Sequence, residues 1–159
     1  MGFLSWFEQN KDQAALQQSL DLGIDGELTQ AQHDQQVLAE RKQVTRQYTG
    51  RIKKVVEDKG EKSKEPAYRM AHAALTEGLF DCTVDDLYNA VGGKRGNRDT
   101  LPPIAQNAYL MAETLACEDL DNLSEAELKA SKAQRRHRVV RGAAQSGRKA
   151  KDLSSWRDG

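Results

Sequence analysis

The stretch Gly92-Gly93-Lys94-Arg95-Gly96-Asn97-Arg98-Asp99-Thr100-Leu101-Pro102-Pro103 decides how this chain is read. It is a glycine-rich basic loop between two segments with helical apolar spacing. Before it, Val84, Leu87, Tyr88 and Val91 recur at three- and four-residue steps. Thr83 can cap that helix, and Asp85 and Asp86 lie in its first turn, where carboxylates suit the helix dipole. After it, Pro102 and Pro103 fit the start of a helix whose apolar face is Ile104, Ala108, Leu110, Met111 and Leu115. Upstream, Pro66 opens a helix carrying Ala67, Met70, Ala71, Ala74 and Leu75 on one face. Gly78 is expected to close it, with Leu79 and Phe80 folding back as an apolar contact. Three short helices with small alanine contacts predict a compact bundle over 66–121.

The rest of the chain is polar and helix-prone. Apolar residues are 38% of the 159 and charged residues 30%, with only three prolines. That is less apolar material than an ordinary globular domain holds, so a core should occupy only part of the length. Alanine, glutamine, glutamate, leucine, lysine and arginine dominate, which predicts an all-α fold. Residues 1–20 read as an amphipathic helix with Phe3, Leu4, Phe7, Ala14, Leu16 and Leu20 on its apolar side, ended by the Asp25-Gly26 turn. Thr29 and Gln32 form a capping-box pair. From there to about Asp58 runs a helical pattern with a narrow stripe of Val37, Leu38, Val44, Tyr48, Ile52, Val55 and Val56. A helix of that length spans roughly 42 Å, and so narrow a stripe suits a helical arm in a hairpin or two-helix coiled coil. Gly50 should weaken its middle. The run from Lys59 to Glu65 reads as a solvated linker. Ser124-Glu125-Ala126-Glu127 is a second capping box, opening a helix through about Val140, after which Gly142, Gly147 and a polar end are expected to fray. The expected organisation is therefore 1–58 with the arm, 59–65 linker, 66–121 three-helix bundle and 122–159 basic helical extension.

Net charge is zero, but the halves of the C-terminal region differ. From Leu128 to Lys151 there are nine lysines and arginines and no acid, whereas Glu118 to Glu127 holds five acids and no base. Such asymmetry points to a polar partner surface, with nucleic acid the first candidate. Lys132, Arg135, Arg136, Arg138, Arg141, Arg148, Lys149 and Lys151 are the candidate cations there, joined by Lys94, Arg95 and Arg98 of the loop. An acidic protein face would satisfy them equally, and a solvated tail is the plain alternative. Arg98 also has a structural reading, pairing with Asp85 or Asp86, while Asp99 or Thr100 caps the following helix; this is preferred to a ligand role. For a protein partner the candidate contacts are Phe3, Trp6, Phe7, Val44, Tyr48 and Ile52, although docking of the aromatic terminus onto the protein's own core is preferred. Self-association through the same stripe stays open.

Several chemistries find no support. Cys82 and Cys117 sit in no CxxC or Cys/His spacing, and His33, His72 and His137 are far apart, so neither a metal site nor nucleophilic catalysis is indicated. The glycine-rich loop lacks the Gly-Lys-Ser/Thr of a nucleotide-binding P-loop. No apolar run reaches the ~18 residues of a membrane span. The expectation is a cytoplasmic protein that acts by binding rather than as an enzyme, without cofactor or metal.

The order of elements from Ala67 to Leu120 resembles the C-terminal part of phage BRO-type antirepressors and of the DNA-damage-inducible protein D group. The residues that carry it are Glu77-Gly78-Leu79-Phe80, then Thr83-Val84-Asp85-Asp86-Leu87, then Gly96-Asn97-Arg98-Asp99-Thr100-Leu101, then Ala105 to Ala116. Asp81 stands where that family tends to have a second glycine, and its N-terminal DNA-binding domain has no counterpart here. The resemblance implies a phage or mobile-element accessory protein and supplies no catalytic residues.

Overall fold

The computed structural model describes residues 2–10, 30–56 and 66–157, apart from the side chains of residues 30–35, 37, 38 and 66. Helix α1 covers residues 3–10. It is followed by α2 (Gln30–Val56), α3 (Pro66–Phe80), α4 (Val84–Val91), α5 (Pro103–Asp121), α6 (Glu125–Leu128) and α7 (Lys132–Asp152). No strand occurs among the described residues, so the all-α expectation is met. The Thr29–Gln32 capping box, the Asp25-Gly26 turn, the 59–65 linker and the second half of the 1–20 helix lie outside the described residues, as do the side chains of His33, Val37 and Leu38.

The core is built differently from the expected bundle. Helix α3 packs chiefly on α7, and α5 lies against both α7 and α2. The contact between α3 and α7 is made through backbone. A Cβ placed on Gly147 would overlap the Leu75 carbonyl oxygen, and one on Gly78 would lie 2.5 Å from the Ala144 carbonyl oxygen. Only glycine lets two helix backbones come this close, so Gly78 does not close α3 as the sequence suggested. The helix continues through Leu79 and Phe80, both fully buried, and ends at Asp81. Asp81 has φ 56°, the left-handed conformation that terminates helices and favours glycine. That gives a physical reason for a glycine to be preferred at this position. Past the glycine contact, the Asp81 carboxylate pairs with Lys151 at 2.5 Å, so α3 and α7 run side by side in the same direction.

Helix α7 therefore belongs to the core. Val139, Ala143 and Ala150 are buried on its inner face, together with Gly142, Ser146 and Gly147. The frayed end expected after Val140 is replaced by twelve further helical residues and a turn that returns Trp156 to the interior. Trp156 is 2% exposed and donates its indole N–H to the Leu79 carbonyl at 2.8 Å. The reason lies in the capping signals. Ser124 and Glu127 start only the one-turn α6, and a separate box made by Ser131 and Gln134 starts α7.

The N-terminal aromatics close the same end of the molecule. Phe3 is fully buried, with ring centroids 4.8 Å from both Phe80 and Trp156, and Trp6 lies 5.5 Å from Trp156. Edge-to-face and tilted pairs at these separations suit the aromatic quadrupole. On the far side, Tyr48, Ile52, Val55 and Val56 of α2 are buried, so the described C-terminal half of the expected arm is a packed helix.

Candidate functional site

The loop that organised the sequence is fastened to the core by its own charges. Gly92 takes φ 71° as the C-cap of α4, donating to the Tyr88 carbonyl, and turns the chain into the loop. Asn97 then accepts from the Asp99 amide and caps the single turn Arg98–Thr100, whereas α5, whose cap the sequence assigned to Asp99 or Thr100, has Pro102 at its N-cap and no side-chain cap. Gln106 reaches back from α5 to the Leu101 carbonyl at 2.8 Å and the Arg98 carbonyl at 3.1 Å.

Arg98 enters the interior. Its guanidinium donates to Glu113 at 2.6 and 3.3 Å and to the Thr45 hydroxyl at 3.0 Å, and its Cζ sits 4.4 Å from the Tyr109 ring centroid. Glu113 is 1% exposed. The expected partners Asp85 and Asp86 are not used, because Arg95 takes Asp85. Burial alone would lower the Arg98 guanidinium, but the Glu113 carboxylate offsets this and holds it above its ordinary value. His72 completes the cluster. Burial, then the charges of Arg98 and Arg95, push its imidazole down to about 3. The neutral ring can then accept at Nδ1 from Arg98, 3.1 Å away. Thr76 donates to the His72 carbonyl, so the Tyr109 hydroxyl is the donor in its 2.8 Å bond to Thr76. Arg41, 2% exposed, joins α2 to this region by bonding Asp99 and Gln106. With both partners of the central ion pair hydrogen-bonded, the cluster is a structural tie among α2, α3, α5 and the loop.

The remaining predicted cations fall into two groups. Arg138 is spent within the fold: it grips both Asp119 oxygens at 2.8 Å and Glu127 at 2.6 Å. The Asp119 bonds raise its affinity for its proton despite partial burial, and the Ser124 backbone N–H together with Arg138 holds Glu127 down at about 2. Gly142 leaves room for the pair, since a Cβ there would overlap Asp119. Lys151 is engaged by Asp81, and Arg135 and Arg136 are half-buried. By contrast Lys132, Arg141, Arg148 and Lys149 are exposed on α7, with His137 and Gln145 between them. Lys94 is exposed in the loop.

The apolar contacts assigned to a protein partner are largely internal. Phe3, Tyr48 and Ile52 are inside the fold and cannot meet another molecule, while Trp6, Phe7 and Val44 are half-buried. The docking of the aromatic terminus on the protein's own core is thus what the structure contains. Cys117 is buried and Cys82 half-buried, and burial pushes both thiols up to about 11, away from nucleophilic reactivity. Among the described residues no group of three or more His, Cys, Asp or Glu could hold a metal ion, and no helix is long and apolar enough to cross a membrane.

Sequence reading missed Arg41, His72 and Glu113. The signal was available in their spacing. Tyr109, Glu113, Ala116 and Leu120 are one buried row of α5, and Arg41, Tyr48 and Ile52 one buried row of α2. An ionisable residue at a core position of an amphipathic helix asks for a partner. No family model, curated protein or solved structure matches this chain.

Proposed function

We propose that this protein acts by binding, as an accessory or regulatory protein of phage or mobile-element type that engages DNA or a DNA-bound protein. The observation that carries the reading is the outer face of α7, where Arg141, Arg148 and Lys149 are exposed on a helix whose inner face is core. The acid-free run from Leu128 to Lys151 and the resemblance over 67–120 support it. The loop contributes less than its composition suggested, because Arg98 is internal and Arg95 is paired.

Binding of a labelled duplex across a salt series tests the reading. Retention at low salt that weakens steeply as salt rises is expected; no binding at low salt would overturn it. Deleting 132–159 is the wrong control, because it removes Val139, Ala143, Ala150 and Trp156 from the core. Substitution of exposed cations leaves the packing intact.

The rival reading is an inhibitor or assembly factor that works through protein contact alone. With Phe3, Tyr48 and Ile52 committed to the interior, it rests on the partly exposed Trp6, Phe7 and Val44. Recovery of one stoichiometric protein partner, unaffected by nuclease, would select it.

A further inference from the structure

Resting on the DNA-binding reading, we infer that the outer row of α7, Arg141, Gln145, Arg148 and Lys149, is a sequence-independent contact for the phosphate backbone of duplex DNA. Arg141 and Arg148 are seven residues apart, so they emerge on one side of the helix about 10.5 Å apart along its axis. That is close to three phosphate steps of one DNA strand, each ~3.4 Å along the duplex. Gln145 sits between them at helical spacing, an uncharged donor of the kind that adds phosphate hydrogen bonds.

Two observations favour nucleic acid over an acidic protein as the occupant. First, no large apolar side chain is exposed between Lys132 and Asp152; among the described residues the exposed large apolar ones are Met70, Met111, Leu128 and Leu153, of which Leu153 is the C-cap beyond the row. Protein interfaces centre on aromatic or aliphatic anchors, whereas phosphate contacts need only cations and polar donors. Second, the row stands on a helix whose backbone packs directly on α3. Gly147, adjacent to Arg148, lies against the α3 backbone, so the backbone positions that carry the cations stand at fixed spacing and no backbone ordering is required on binding. Of the nearby acids, Asp119 and Glu127 are engaged by Arg138 and Asp81 by Lys151, while the exposed Asp152, one turn after Arg148, marks the C-terminal limit of the row.

The test compares three proteins on a random-sequence labelled duplex over a salt series: the full chain, its Arg141→Gln/Arg148→Gln/Lys149→Gln variant and its Lys94→Gln/Arg95→Gln variant. Circular dichroism and thermal melting confirm that each is folded. Three phosphate contacts predict a slope of about −2.7 in log affinity against log salt, and each charge removed should reduce it by about 0.9. The α7 variant should bind at least about tenfold more weakly with a nearly flat salt response, while the loop variant should match the parent. An α7 variant with the parental slope would overturn the inference and leave DNA binding standing, as would loss of binding in the loop variant. Displacement by polyglutamate as readily as by unlabelled duplex at equal charge would overturn it in favour of an acidic protein partner. Absence of duplex binding by the parent would defeat both the inference and the reading beneath it.

Discussion

Arg98 and Arg138 make nearly the same contacts, yet they occupy opposite physical situations. Each guanidinium grips both oxygens of a carboxylate at hydrogen-bonding distance. The difference is water. Glu113 has a side-chain exposure of 1%, against 26% for Asp119 and 36% for Glu127. The two guanidiniums are similarly exposed, so the contrast lies in the carboxylates: no solvent reaches Glu113 to replace a lost partner. In the second, water and salt compete with the contact and would largely replace it. Similar hydrogen-bond diagrams thus carry unequal stakes, and burial sets the scale.

That contrast can be broken experimentally. Replacing Glu113 with Gln should cost about 3–5 kcal/mol in urea denaturation, since it removes the buried charge that compensates Arg98. The double variant Arg98→Met/Glu113→Leu should recover most of the loss; failure to recover would show that the ion pair does more than satisfy its own charges. Next in size is Gly147→Ala. Its new methyl would meet the Leu75 carbonyl, so a loss towards the upper end of about 1–3 kcal/mol is expected. A neutral result would mean that α3 and α7 separate easily.

The third test sharpens the buried side of the comparison through pH. Folded His72 is held down at about 3, whereas an unfolded histidine titrates near 6.5. Between those values the unfolded chain binds more protons. The stabilisation from neutral His72 is therefore complete above about pH 6.5 and is lost as pH falls toward 3, with a slope of up to about 1.4 kcal/mol per pH unit. His72→Gln keeps an acceptor for Arg98 and removes the titration, so stability should depend less on pH between about 6.5 and 5, where carboxylates remain ionised. An unchanged slope would place the acid sensitivity elsewhere. Arg138→Ala should cost only about 1 kcal/mol, and the cost should shrink in high salt. The smallest effect has the opposite sign. Gly50 lies in α2 with nothing within 4 Å of its would-be Cβ, so Gly50→Ala should raise stability by roughly 0.5–1 kcal/mol. Together, Gly50 and Gly147 separate glycine that merely weakens a helix from glycine that a contact requires.

The sequence showed the helices better than it showed their neighbours. Pro66, Thr83 and Pro103 mark the starts of α3, α4 and α5 because helix initiation is local chemistry, legible in a few residues. The Ser131–Gln134 box is equally local, but the Ser124 box shortly before it competes with it in a linear string, so α7 reads as an extension rather than a core helix. Partnership was harder to read. Gly78, Gly142 and Gly147 resemble helix breakers in a linear string, and they become contact residues only when another backbone or an ion pair arrives beside them. Likewise the nine cations from Leu128 to Lys151 read as one basic tail, although a helix sends successive residues in different directions. Arg138 and Lys151 turn to carboxylates of α5 and the end of α3, while Arg141 and Arg148 face outward. Net charge along a segment does not say which charges a partner can reach.

The placement of α7 also bears on how the chain is made. The apolar faces of α3 and α5 leave the ribosome well before the helix they pack against, and the Leu79 carbonyl waits for the indole of Trp156, 77 residues later. Folding of this unit cannot finish during most of its synthesis, because its central contact joins an early helix to the last one described. The nascent chain must carry exposed alanine and leucine faces until Trp156 emerges, so a ribosome stalled within α7 would hold a species prone to aggregation.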